Sequence, residues 1–205
     1  MSQAVGVMTD VPSAAAYVKR LDQPMTRTAV RPTGVERTFG EDELIVSKTD
    51  PKGIIRYANA VFCRLSAYEE ADLIGRPHNI IRHPDMPSIV FKLLWDTVAS
   101  GRELFAYVVN LASDGAHYWV LAHVTPSFGD RGQIVGYHSN RRVPARSALE
   151  TIVPLYERLR AAERQAGEGK QATESSGALL RQFLDERNCD YERFVWSITP
   201  SGAPR

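Results

Sequence analysis

The chain has 205 residues, 43% of them hydrophobic, and its 25 Lys and Arg are balanced by 24 Asp and Glu. This length and apolar content allow one substantial core with small elements appended at both ends. The near-neutral balance excludes the basic field that nucleic-acid binding needs and the cationic surface that membranes attract, and no run approaches the ~20 apolar residues of a membrane span. The first residues lack a charged stretch followed by an apolar block, so a cytoplasmic protein is expected. Cys63 and Cys189 are isolated and far apart, which fits a reducing compartment and gives neither a disulfide framework nor a zinc pattern.

Residues 1–40 mix Ala, Thr, Pro and Arg with weak periodicity and read as a mobile N-terminal arm, with a short helix around Ala14 to Leu21. Leu44 to Val46 forms a strand, Asp50-Pro51-Lys52-Gly53 a turn, and Ile54 to Tyr57 returns as the second strand of a hairpin. Asn59 can N-cap the short helix that follows, and residues 68–74 make another, ended by Gly75.

Gly75 to Met86 then packs His78, Arg82, His83 and Asp85 between Pro77, Pro84 and Pro87. Three prolines restrict the backbone, so the segment is a braced loop with one short helical turn that holds charged side chains at fixed positions. A cation, a titratable imidazole and a carboxylate suit the edge of a heteroaromatic ring or a phosphate, but the same groups suit the start of the next helix. From Met86 to Val98 apolar residues recur at helical spacing, with Phe91 and Trp95 on one face at i and i+4. On spacing alone these aromatics read as core.

Strands are expected at residues 104–111, 116–126 and 133–140, separated by Ser-Asp-Gly and Gly-Asp-Arg-Gly turns. Two strands, helices, then three strands give an α+β architecture: a five-stranded antiparallel sheet with short helices on one face. An amphipathic helix is expected over 144–166, a polar linker over 167–178 and a short helical tail over 179–205.

The order of elements, Tyr57-Ala58-Asn59 at the end of the hairpin, and the run from Gly75 to Pro87 resemble a PAS domain, specifically the FAD-binding PAS sensor of the aerotaxis receptor Aer. The likeness covers roughly residues 44–160 and places the sensor domain at 41–143. It implies a non-covalently bound FAD whose redox state is read out, so the chain is expected to sense redox state or oxygen and not to turn over a substrate. The resemblance assigns Asn59, Arg82, His83 and Asp85 to the polar side of the flavin pocket and Phe91 and Trp95 to its aromatic wall. Physically, Arg82 can stabilise charge on a reduced ring and His83 can titrate near neutrality.

The chain departs from these receptors at Leu104, where a Trp is expected, and at the less basic Leu111-Ala112-Ser113. A blue-light photoadduct is not expected, because the reactive cysteine of such sensors would fall at Pro77-His78. The alternatives are a haem-binding PAS gas sensor with His78 or His83 as axial ligand, and a cofactor-free PAS module for interaction or dimerisation. No catalytic nucleophile, metal cluster or phosphate loop accompanies the His83 and Asp85 pair, so no enzyme is expected, and output must pass to a downstream signalling protein, with a homodimer as a possible working unit.

Overall fold

The computed structural model describes residues 30–200, so the helix expected around Ala14 to Leu21 lies outside the described residues. Five strands form one antiparallel sheet in the order β2-β1-β5-β4-β3: β1 Ile45–Thr49, β2 Ile55–Ala58, β3 Leu104–Leu111, β4 His117–Phe128 and β5 Ile134–Arg142. The first turn closes as its sequence demands. The Asp50 carboxylate accepts from the N–H groups of Lys52 and Ile54, and Gly53 takes the positive φ of 76° that glycine adopts without strain.

One face of the sheet carries α1 Ala60–Ser66, the single turn α2 Glu70–Leu73, a 3-10 turn His78–Ile81 and α3 Ser88–Ala99. Strand alternation puts Ile45, Ala106, Val108, Tyr118, Val120 and Val124 toward these helices, where Phe62, Leu65, Leu73, Ile81, Val90 and Val98 complete a dry core.

The opposite face of β3 and β4 is covered by α4 Arg146–Ala166 and α6 Tyr191–Ile198, while α5 Gly169–Asp185 packs against both α4 and α3. Here Phe105 stacks on His123 with ring centroids 4.0 Å apart and meets Trp196 at 4.6 Å, and Trp119 tilts against Tyr156. The Tyr156 hydroxyl donates to the Tyr107 carbonyl at 2.7 Å. Trp119 thus faces the C-terminal helices and Tyr118 the interior, a choice that alternation alone leaves open.

Two expectations are corrected. Residues 169–185 form a helix whose first half lies where the polar composition reads as a linker, because the buried residues of that half are small: Ala172, Thr173, Ser176 and Gly177 let α5 lie close against its neighbours. A Cβ at Gly177 would stand 3.1 Å from the Ile89 side chain. The start of the tail is therefore the second half of this helix, followed after residues 186–190 by α6. The last residues of the arm are also placed: Val35 and Arg37 exchange backbone hydrogen bonds with His117. Among the described residues no helix is long and apolar enough to cross a membrane.

Candidate functional site

A narrow cleft enclosing about 80 Å³ lies between the sheet and the 3-10 turn with α3. Its lower wall follows from strand periodicity: β1 contributes Ser47 and Thr49, β5 contributes Tyr137, Ser139 and Arg141, and β3 contributes Val108 and Asn110. The helical wall adds His78, Asn79, Arg82, Phe91, Leu94 and Trp95. Trp95 meets Tyr137 edge to face at 5.2 Å, and the Arg82 guanidinium lies 4.8 Å from the centre of the Phe91 ring while donating to Ser88 Oγ.

The floor is polar and its central charge is uncompensated. Arg141 is 3% exposed. Its Nη2 donates to Ser47 Oγ and to His78 Nε2, both at 2.5 Å, and its guanidinium lies 4.9 Å from the centre of the Phe62 ring. No carboxylate forms an ion pair with it among the described residues, and Nη1 has no hydrogen-bond partner. Burial brings its pKa down to about 10, opposed by Tyr118, which still leaves a full positive charge at neutral pH. A buried cation of this kind is costly unless something meets it.

Three further buried atoms lining the cleft lack partners among the described residues: Thr49 Oγ1 and Asn110 Nδ2 on the sheet and Asn79 Oδ1 on the 3-10 turn. Together they offer an acceptor, a donor and a hydroxyl able to do either, which suits the edge of a planar heterocycle with alternating carbonyl and N–H groups.

Burial, and then the neighbouring Arg141 charge, hold His78 well below the usual imidazole pKa, so it is neutral and accepts from Arg141. Burial also lowers His83, against Asp85, which raises it. Both folded values lie below that of an unfolded histidine near 6.5, so below that pH the unfolded chain binds protons that the native state refuses. Stability is accordingly full above about pH 6.5 and falls as pH drops through it, by up to about 1.4 kcal/mol per pH unit for each histidine. Urea unfolding at pH 7.5 and 5.5 should show this loss, and His78→Gln should flatten it; equal slopes in both proteins would remove His78 from the account.

Of the residues singled out from the sequence, His78, Arg82, Phe91 and Trp95 converge on the cleft, while Asn59, His83 and Asp85 do not. Asn59 is consumed by structure: Oδ1 accepts from Phe62 N at 3.1 Å and Val46 N at 3.0 Å, and Nδ2 donates to the Leu44 carbonyl at 2.7 Å. It caps α1 and pins that helix to β1. His83 and Asp85 turn away because the backbone is extended at Arg82, which bridges to Asn110 as a strand would. Consecutive side chains of an extended segment point to opposite sides. Arg82 therefore faces the cleft, whereas His83 meets His117 beside the outer helices at a separate, wider and more open depression of about 750 Å³.

Arg141, Ser47 and Asn110 lie in no motif, and Asn79 and Tyr137 lie in stretches that carry the resemblance without being assigned to the pocket. The one available signal was the alternation Tyr137, Ser139, Arg141 against His138, Asn140, Arg142, and polar residues on both faces hide which set points inward.

Residues 55–141 match the family model described as PAS fold. The chain is 37% identical over 123 residues to the aerotaxis receptor of Escherichia coli K12, covering 60% of this chain and 24% of that protein. It is 28% identical over 97 residues to the nitrogen fixation regulatory protein of Klebsiella pneumoniae, covering 47% of this chain and 20% of that protein. Both matches thus span a quarter or less of the relative's length. Among solved structures, the light-state LOV domain of the blue-light photoreceptor Aureochrome1 is 24% identical with a TM-score of 0.48, covering 54% of this chain and 88% of that one.

Proposed function

Because this chain belongs to the PAS family through residues 55–141, we propose that it binds a flavin, FAD, non-covalently in the cleft and reports redox state or oxygen to a downstream signalling protein. The observation that carries this reading is the set of buried polar atoms without partners among the described residues, on the sheet and on the 3-10 turn, around a cleft whose α3 side is aromatic and aliphatic. A bound flavin supplies a planar ring that takes up electrons and gains negative charge along its pyrimidine edge.

The chain's own residues divide the work. Asn79, Asn110 and Thr49 would orient the ring edge through the hydrogen bonds they do not make internally. Phe91, Leu94, Trp95 and Val108 would enclose the apolar part and exclude water. Arg141, with a free Nη1, would meet charge arriving at that edge, in a low-dielectric setting where the attraction is strong. His78, held neutral, adds no second positive charge and keeps Arg141 oriented. Neither cysteine lines the cleft, in keeping with non-covalent retention. FAD is chosen over other flavins on the likeness to the aerotaxis receptor. The chain is a sensor in this reading, and a kinase or other output activity is not assigned to it.

An absorption spectrum of the purified protein, with identification of what denaturation releases, tests the proposal. Oxidised-flavin bands and released FAD support it; a Soret band would transfer the case to haem with His78 to be mutated first, and a colourless protein would favour a cofactor-free interaction module. Asn110→Leu removes one donor without adding bulk, so the variant should fold normally and hold flavin roughly tenfold more weakly. Unchanged flavin content would take Asn110 out of the site.

A further inference from the structure

Glu163, on α4, is a buried carboxylate with a side chain 2% exposed, and four hydrogen bonds converge on it. Its Oε1 accepts from the backbone N–H of Ser88 at 2.7 Å, from that of Ile89 at 3.4 Å and from the Ser176 hydroxyl at 2.8 Å, while Oε2 accepts from Arg160 at 2.5 Å. Ser88 opens α3, the helix that walls the cleft, and Ser176 lies in α5.

The N-terminus of α3 has no side-chain cap of its own, since Pro87 stands at the capping position. Its first N–H groups need an acceptor, and the helix dipole favours a negative one. Glu163 supplies both from another helix. On the other side, Arg82 donates to the hydroxyl of the same Ser88 at 3.0 Å, and Arg82 lines the cleft. One residue is therefore held from the cleft by Arg82 and from the C-terminal helices by Glu163.

We propose that Glu163 is the coupling residue through which the state of the cleft reaches α5. The two-state element is the first turn of α3, capped by Glu163 or opened to water. A change of charge in the cleft draws on Arg82, alters its hold on Ser88 and shifts this turn; Glu163 then loses or regains two N–H partners and, with them, its geometry toward Ser176. Linkage runs both ways, so docking of α5 in turn biases the cleft. The inference rests on the cleft holding a ligand, but its test does not depend on that alone.

Hydrogen exchange on the full chain reads the coupling at residues 169–185. In flavin-loaded protein, chemical reduction should change exchange there roughly tenfold, and Glu163→Gln, still loaded, should confine the change to residues 78–91. An equal response at 169–185 in both proteins, or none in the wild type while 78–91 responds, overturns the proposal. If the protein carries no flavin, the spectrum shows that separately, and Arg82→Ala replaces reduction as the perturbation. Exchange at 169–185 should then rise roughly tenfold in the wild-type background and no further in Glu163→Gln. Additive effects would break the link. Ser176→Ala, which removes one tie and leaves the α3 cap, is the control should Glu163→Gln fold poorly: it should reproduce the lost response with the cleft intact.

Discussion

Arg141→Met is expected to move stability and ligand binding in opposite directions. In ligand-free protein the substitution removes a desolvated guanidinium that, among the described residues, has no carboxylate and an idle Nη1. Replacing buried charge by an apolar side chain of similar length is often neutral or stabilising, so the empty fold should be no less stable, and by about 1 kcal/mol more stable where Met packs well. His78 loses its donor and also the charge that depresses its pKa, so the two local losses partly offset one another. Flavin affinity should fall by about 3 kcal/mol, roughly a hundredfold, because a charged hydrogen bond in a dry site disappears. Urea unfolding of the stripped protein and flavin titration check the two halves. A variant both destabilised and fully competent for flavin would mean that Arg141 is a structural strut.

Asn59→Ala should do the reverse. It breaks the cap of α1 and two ties to β1, leaving the N–H of Val46 and the carbonyl of Leu44 without their partner. Loss of a cap costs about 1 kcal/mol and orphaned partly buried groups about 1–3 more, so a fall of about 3 kcal/mol is expected, with the flavin content of the folded fraction unchanged. Normal stability with lost flavin would return Asn59 to the site.

These two residues show where sequence reasoning works and where it stops. The strands were legible because Leu104 to Leu111 and the two that follow carry β-rich runs between turn-forming stretches of three and four residues, and α3 because its apolar residues recur at helical spacing. The loop from Gly75 to Met86 was visible as a braced segment, and half of its polar residues do reach the cleft. The sorting of that half required one backbone fact, the extended conformation at Arg82, which divides Arg82 from His83. Asn59 combines two roles that look alike in sequence, since any Asn before a helix can cap it or project beyond it. Arg141 stood beside Arg142 at the end of a strand, where paired arginines normally mark the solvent, and only the sheet order brings it against Ser47 of β1 and beneath His78. Composition misled at residues 169–178 for a related reason: small polar residues suit a linker, but they also suit a helix that must approach another closely.

The backbone contact between residues 35–37 and His117 bears on colloidal behaviour. Strand β5 pairs with β4 only from Leu121 onward, so the opening residues of β4, His-Tyr-Trp-Val, have no β5 partner on that side. Val35 and Arg37 take up the hydrogen-bonding groups of His117, and Thr33 anchors the segment to Gly115. Cut the chain after residue 40 and an aromatic, β-prone stretch is left with an open flank, the kind of edge along which separate molecules zip together. A shortened protein should therefore scatter light and precipitate at concentrations the full chain tolerates, with its cleft chemistry untouched.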